Sequence, residues 1–163
     1  MTAPARYPMI CALAAFVWFA TVQIVAFIIA GGVMEYPLDD PYIHLAVAEQ
    51  IAAGGYGVNA GEYASAASSP LYPMLLLFQA GGEVQRWLPL VWNAIGVVAS
   101  GWLWGSLMIR AGLAGKWAVL LAVLAPLFLN IVGAGYVGME HALHIAASIA
   151  VVQGGVVLVQ DNR

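Results

Sequence analysis

The chain has 163 residues, of which 63% are hydrophobic and 8% are charged, and its mean hydropathy is +0.90. Soluble domains carry about 25% charged residues, so the composition excludes an ordinary soluble domain and indicates an integral membrane protein. The formal net charge of −3, with no cluster of basic residues, argues against a nucleic-acid partner. The single cysteine, Cys11, excludes a disulfide framework within the chain.

Four uncharged apolar runs are long enough to cross a membrane as helices. Each has 20 residues or more, the length that spans a hydrocarbon core of about 30 Å. They cover residues 9–33, 87–109, 117–136 and 141–160. A fifth apolar stretch, 69–82, has 14 residues with two prolines and two glycines, which favours a short re-entrant or interfacial helix. The sequence therefore predicts an all-α membrane protein with about four spans in a single transmembrane domain.

The segment 34–86 between the first two predicted spans is too long for a simple connector. Within it, Asp40 is a good N-cap residue and Pro41 a good first helical residue. The pair Gly54-Gly55 provides a helix stop. These signals predict a helix over 41–53.

One face of this predicted helix is apolar, because Ile43, Val47 and Ile51 recur at helical spacing. Such a helix is expected to lie along the membrane surface. His44 follows Asp40 by four residues, which places the two side chains within reach of each other on a helix.

The basic residues predict the topology. If 69–82 does not cross the membrane, four basic residues lie on one side and Arg86 alone lies on the other. The four are Arg6, Arg110, Lys116 and Arg163. The positive-inside rule then makes the N-terminal side cytoplasmic, and it places Asp39, Asp40 and Glu140 together on the outer face. If 69–82 did cross, these acids would be divided between the two faces.

Three segments of the chain resemble GT-C glycosyltransferases. The run 39–62, which begins Asp-Asp-Pro-Tyr-Ile-His, is similar to their first outer loop. The entry Ser-Ser-Pro-Leu-Tyr at 68–72 and the Gly-Met-Glu-His-Ala-Leu run at 138–143 fit the same pattern. The family includes protein O-mannosyltransferase and aminoarabinose-transferase relatives and bacterial transferases that use polyprenyl-phosphate sugars.

The resemblance implies the N-terminal portion of an inverting membrane glycosyltransferase in the bacterial inner (plasma) membrane. Family members have more spanning helices than the four predicted here, so we expect a truncated gene, a fragment, or one part of a split enzyme. A second polypeptide would then supply the missing helices. Many relatives also carry an arginine where this chain has Ala46.

The same resemblance assigns the catalytic residues. Transfer to a hydroxyl acceptor needs a positioned carboxylate base, and the family's catalytic aspartate corresponds to Asp39, with Asp40 beside it. The alternative interpretation of Asp40 is that it only caps the helix. Glu140 is the second acid, expected to orient the acceptor or support Asp39. Its alternative interpretation is an interfacial glutamate favoured by the dipole of a helix N-terminus.

Three further residues are candidates for substrate binding. His44 is expected to contact Asp40 or a phosphate, against the alternative of a surface histidine at the membrane interface. Arg86 is the candidate countercharge for the donor phosphate, against the alternative of a helix anchor. Ser69 belongs to the Ser-Ser-Pro entry.

The implied partners are a lipid-linked sugar donor and membrane lipids. No cofactor is expected. A zinc site needs a third or fourth convergent ligand, which the run Glu140, His141 and His144 lacks, so no metal site is predicted. Use of a divalent ion by the enzyme is kept as an alternative. Two other functions remain as alternatives: a non-catalytic remnant or accessory subunit, and a small transporter or channel subunit. The predicted spans contain no charged residue, which disfavours transport.

Overall fold

The computed structural model describes residues 6–161, and almost all of their regular structure is helical. In chain order the elements are α1 (Tyr7–Ile29), α2 (Asp40–Ala52), α3 (Tyr72–Leu75), a 3₁₀ helix (Gln85–Trp87), α4 (Leu88–Arg110), α5 (Gly115–Phe128), α6 (Ile131–Tyr136) and α7 (His141–Asp161). Three helical segments are long and apolar enough to cross a membrane: Tyr7–Ile29, Gln85–Arg110 and His141–Gln160. The all-α prediction is confirmed, and these three helices indicate an integral membrane protein; the fourth predicted span, 117–136, is not among them.

Helix α4 is central, and α1 packs against it in the antiparallel direction through glycines of α4. A Cβ atom built on Gly105 would lie 2.5 Å from Pro8 Cα, and one built on Gly101 would lie 2.7 Å from the Cys11 carbonyl oxygen. Side chains cannot be accommodated at these separations, so the two backbones approach because both positions are glycine. Small residues serve the same purpose in many membrane helix pairs, where no hydrophobic effect draws the helices together.

Helix α7 packs on another side of α4 and runs parallel to it. A Cβ atom on Gly96 would lie 2.7 Å from the Ala142 carbonyl carbon. The Ser100 hydroxyl donates a hydrogen bond of 3.3 Å to the Ala142 carbonyl oxygen. Beyond its first two turns α7 is largely exposed, and Gly154 and Gly155 have no atom within 4 Å of a built Cβ.

The predicted span 117–136 is not one continuous helix. Helix α5 ends at Phe128, Asn130 adopts a left-handed conformation (φ 53°), and α6 then begins at Ile131. Pro126 lies inside α5, two residues before the end of that helix. Asparagine tolerates the left-handed region, and its carbonyl oxygen accepts the Ala134 N–H at 2.9 Å to start α6.

Together α5 and α6 run from one end of the bundle to the other. Ala118 of α5 packs with Tyr7 and Met108, at the start of α1 and the end of α4. Ile131 of α6 packs with Phe19 and Val97, nearer the opposite end. The two helices have 14 and 6 residues, which corresponds to about 30 Å of helix rise.

The loop 34–86 contains α2 close to the predicted position. The helix begins one residue earlier than predicted, because Asp39 is the N-cap residue and Asp40 already belongs to the helix. The prediction of Asp40 as the N-cap residue is therefore wrong, and Asp39, which occupies that position, makes no capping hydrogen bond. The buried side of α2 comprises Pro41, His44, Leu45, Val47 and Ala48. Of the predicted apolar face, Val47 is buried, whereas Ile43 and Ile51 are half-buried.

The predicted helix over 69–82 is wrong, because only the single turn α3 forms. Backbone polar groups after this turn bond to side chains instead of continuing a helix. The Leu75 carbonyl accepts from the Trp92 indole at 2.9 Å, and the Leu76 carbonyl accepts from the Gln85 amide at 3.0 Å. Gln79 and Gly81 then take positive φ values, which end the helical path.

The bundle has two chemically different ends. Arg6, Arg110 and Lys116 lie at the end where α1 begins and α4 ends, which we term the basic end. Helix α2 and Glu140 lie at the other, which we term the acidic end. Arg163, the fourth basic residue of the topology prediction, lies outside the described residues.

Candidate functional site

A buried histidine and a buried glutamate meet at the acidic end. Glu140 precedes α7, and its backbone carbonyl accepts the His144 N–H at 3.0 Å, as expected at a helix start. The Glu140 residue is 6% exposed and His44 is 1% exposed. His44 Nε2 lies 3.9 Å from Glu140 Oε2. The interpretation of His44 as a surface histidine is therefore wrong, and its near neighbour is Glu140.

The imidazole of His44 has two further neighbours from the loop 34–86. Ser68 Oγ lies 3.2 Å from Nε2, and the Tyr72 ring packs edge-to-face with the imidazole at 5.2 Å between centroids. Among the described residues, His44 Nδ1 and Glu140 Oε2 have no hydrogen-bond partner. Serine and acid thus approach the same ring nitrogen. In a Ser-His-Asp triad they occupy opposite nitrogens, so this cluster is not such a triad.

Burial controls the protonation of His44. Desolvation lowers the pKa of His44 below its usual 6.5, and the opposing attraction of Glu140 and Asp40 is smaller. The imidazole is therefore neutral at pH 7, with one nitrogen able to donate and the other able to accept.

Tyr72 connects this cluster to the helical bundle. Its hydroxyl donates a 2.9 Å hydrogen bond to the Gly138 carbonyl and accepts a 3.4 Å bond from the Asn93 amide of α4. Burial raises the pKa of the Tyr72 hydroxyl far above its usual value, so the group remains a donor at physiological pH. Gly138, two residues before Glu140, is thereby held by Tyr72, which Asn93 of α4 contacts in turn.

Tyr36 makes an equivalent connection on the other side of Gly138. The Tyr36 hydroxyl donates to the Arg86 carbonyl at 2.7 Å and accepts from the Leu90 N–H at 3.2 Å. Gly138 has a φ of +80°, and a Cβ atom there would overlap the Tyr36 ring. Both the backbone conformation and the close aromatic ring require glycine at this position.

The structure brings some of the predicted site residues together and leaves others apart. Asp39 is exposed at the N-cap of α2, and Asp40 is half-buried in the first turn of α2. The Arg86 guanidinium pairs with Glu83 at 3.7 Å. Ser69 is half-buried, and its neighbour Ser68 makes the contact with His44.

Residues missing from the sequence-based assignment of the cluster are Ser68, Tyr72, Tyr36 and Asn93. Asn93 carried a usable signal, because an amide inside an apolar span needs a hydrogen-bond partner. Nothing in the sequence distinguished Tyr36 and Tyr72 from tyrosines that anchor a helix at the membrane interface. Among residues 6–161 no group of three or more His, Cys, Asp or Glu side chains converges as a metal site would require.

The arrangement combines an accessible carboxylate with a rigid support. Asp39 can accept a proton from a hydroxyl group, whereas the buried His44 and Glu140 are suited to hold α2 in position and to offer hydrogen bonds to a group that enters the cluster. Comparison of the chain with protein-family models, with curated proteins and with solved structures found no match.

Proposed function

We propose that the chain is the N-terminal part of a membrane glycosyltransferase that moves a sugar from a polyprenyl-phosphate donor to a hydroxyl acceptor on the outer face. One observation carries the proposal: Asp39 is an accessible carboxylate at the start of α2, and α2 is packed on the bundle, where Leu45 and Ala48 share an apolar cluster with residues of α3, α4 and α7. A base must be held in position to act on a bound hydroxyl group. Asp39 would remove the acceptor proton as the hydroxyl oxygen attacks the anomeric carbon, while the bond from that carbon to the phosphate oxygen breaks and polyprenyl phosphate leaves.

The topology needed for this function has geometric support. Arg6, Arg110 and Lys116 share the basic end, which the positive-inside rule assigns to the cytoplasm. In this proposal α5 and α6 together form a fourth, broken crossing. Irregular backbone at membrane depth is tolerated where protein surrounds it. Ile131 and Val132 after the break are buried, whereas Leu129 and Asn130 at the break are exposed, so this crossing requires a further protein surface to cover the break.

The donor phosphate requires a positive countercharge. Arg86 and Glu83 form a pair with no net charge, so this pair does not supply the excess positive charge that a leaving phosphate needs, and the other described basic residues belong to the basic end. We therefore assign the countercharge to a second polypeptide that packs against the exposed length of α7. The open surface at Gly154 and Gly155 is suited to a further helix.

The catalytic assignment is tested by substituting Asp39→Asn, Asp40→Asn and Glu140→Gln separately in membranes that contain the whole chain and its native partners. Sugar transfer from a polyprenyl-phosphate donor is measured, with Glu49→Gln, an exposed carboxylate on the same helix, as the matched control. We expect a loss of about 10²-fold or more for Asp39→Asn and wild-type activity for Glu49→Gln. Equal transfer by wild type and Asp39→Asn would overturn the assignment.

The topology is tested by cysteine labelling from each side of the membrane in a Cys11→Ala background. We expect cysteines placed at Glu62 and His141 to react from one face and a cysteine at Gly112 to react from the other. Reaction of positions 62 and 141 from opposite faces would rule out a shared outer site.

A non-catalytic subunit is the second candidate function, and the exposure of α7 favours it. In that case the Asp39, Asp40 and Glu140 variants would retain full transfer in native membranes. Deletion of residues 147–160 would abolish it, because the partner enzyme would lose its contact.

A further inference from the structure

A continuous apolar groove follows one face of α4 beside α1. Its deeper part has a volume of about 620 Å³ and is lined by α4 residues between Ala94 and Leu103 and by Phe16 of α1. Its upper part has a volume of about 330 Å³ and is lined by Val91 of α4, among others. Phe16 and Ala94 line both parts, so the two form a single surface, which we term the α1–α4 groove.

The length of the α1–α4 groove matches one leaflet of a bilayer. Helix α4 rises about 18 Å between Val91 and Leu103, and one leaflet contributes about 15 Å of hydrocarbon. A single acyl chain that enters from the acidic end would therefore fill the groove without reaching the opposite leaflet.

Trp87, about one helical turn before Val91 of the upper groove, lines a separate small pocket of about 260 Å³, which we term the polar pocket because Glu83 and Arg86 line it. It is lined by residues 32–34 after α1 and by Glu83, Arg86 and Trp87 before α4. Arg86 Nη1 and Glu83 Oε2 lie 3.7 Å apart, and their side chains are 54% and 88% exposed. Arginine binds phosphate well, and a carboxylate accepts hydrogen bonds from an ammonium group. The two adjacent charges are complementary to a zwitterionic phosphoethanolamine group.

The side-chain amide of Gln23 lies between the polar pocket and the deeper part of the α1–α4 groove. Gln23 lines the upper part of the groove, and its side chain makes no hydrogen bond to the rest of residues 6–161. It is about 9 Å of helix rise from Ile29, the last residue of α1. An unpaired amide near hydrocarbon is unfavourable, and the ester carbonyls of a glycerophospholipid lie at this depth, below the headgroup.

We propose that the α1–α4 groove and the adjoining polar pocket bind one phospholipid with a phosphoethanolamine headgroup. The phosphate contacts Arg86, the ammonium group contacts Glu83, an ester carbonyl accepts from Gln23, and one acyl chain lies along α4 against Phe16. This site does not involve Asp39 or the cluster at Glu140, so it is independent of the proposed sugar transfer.

The test is native mass spectrometry of the whole chain, released from vesicles that contain equal amounts of phosphatidylethanolamine, phosphatidylglycerol, phosphatidylcholine and polyprenyl phosphate. We expect one retained phosphatidylethanolamine per chain. Arg86→Gln should lower its retention about tenfold, the effect of losing one charge-assisted hydrogen bond. Glu83→Gln should abolish the preference over phosphatidylglycerol, and Ala99→Phe should reduce retention by filling the deeper groove.

The control is Arg110→Gln at the basic end, which should retain the lipid as the wild type does. Elution of each variant as a single species on size exclusion establishes that it is folded. Equal retention of all lipids, a preference for phosphatidylglycerol, or unchanged retention in Arg86→Gln would overturn the proposal. Preferential retention of polyprenyl phosphate would also overturn it and would assign the groove to a glycosyl donor.

Discussion

Helix α4 is held by two surfaces of opposite character. Towards α1 it presents Gly101 and Gly105, where backbone meets backbone and no side chain intervenes. Towards the loop 34–86 it presents Asn93 and Trp92, whose side chains hydrogen-bond to Tyr72 and to the Leu75 carbonyl. The first surface depends on the absence of side-chain volume. The second depends on hydrogen bonds, of which the bond between Asn93 and Tyr72 is buried and the bond from Trp92 is exposed.

The two surfaces should respond differently to substitution. Between apolar helices in a membrane, stability depends on close packing, so added volume is harmful and a lost hydroxyl is of little consequence. At the acidic end a lost hydrogen-bond partner is costly as well, since a buried polar group that loses its partner keeps its desolvation cost. The following four predictions test this difference, beginning with the largest expected effect.

Gly105→Ala should produce the largest loss of stability. The new methyl group would lie 2.5 Å from the Pro8 backbone, so α1 must move away along its first two turns. We expect the free energy of unfolding to fall by about 3 kcal/mol, the upper end of typical overpacking costs. It is measured by reversible unfolding in mixed detergent micelles. Gly155→Ala on the open part of α7 is the control and should be neutral or slightly stabilising.

Tyr72→Phe should destabilise the acidic end by about 1–3 kcal/mol, because the Gly138 carbonyl and the Asn93 amide both lose a buried partner. Hydrogen exchange should quicken in α2 and around residue 138 while the contact between α1 and α4 keeps its protection. Tyr63→Phe, at an exposed tyrosine, is the control. Uniform quickening across all helices would contradict the separation of the two surfaces.

Acidification should loosen α2 by a smaller amount. Burial holds the folded-state pKa of His44 below 6.5, so below pH 6.5 the unfolded chain binds a proton that the folded chain does not. The contribution of His44 to stability is therefore fully present above pH 6.5, falls as the pH drops below it, and levels off below the folded-state pKa. The loop between α2 and α3 should become more sensitive to limited proteolysis in this window. His44→Gln should remove the dependence, and a persistent dependence would assign it to another group.

Glu83→Gln should have the smallest effect on stability. Its ion pair with Arg86 is solvent-exposed on both sides, and exposed pairs contribute about 0–1 kcal/mol. Unfolding in micelles should be indistinguishable from that of the wild type. A loss comparable to that of Tyr72→Phe would show that this pair belongs to the buried polar surface.

Much of the fold could be predicted from the sequence, because the apolar runs at 9–33, 87–109 and 141–160 have the length and composition of membrane helices, and helices form there. Helix α2 was predictable within a residue at each end from Pro41 and Gly54. The break at Asn130 was not, since it follows the last turn of a helix that already contains Pro126. Hydropathy does not distinguish a broken helix from a continuous one.

The candidate site was less predictable. Glu140 and His44 were both identified, but as partners of different groups, because helical spacing connects His44 to Asp40 and says nothing about contacts 96 positions away. The choice of Ser68 over Ser69 as the neighbour of His44 depends on the path of the loop before α3. The helix predicted over 69–82 stays short for a related reason. The Gln85 and Trp92 side chains donate hydrogen bonds to backbone carbonyl groups that a longer helix would have used.

The distances along the chain between the partners at the acidic end also bear on synthesis. Tyr36 bonds to a residue 50 positions later and Tyr72 to one 66 positions later. His44 contacts Glu140, which follows it by 96 positions. At roughly 5–20 residues per second, α2 leaves the ribosome about 5–20 s before its docking partner exists. The first outer loop must therefore remain undocked while the later helices enter the membrane. This loop is most accessible to proteases and chaperones during that interval and less so in the finished protein.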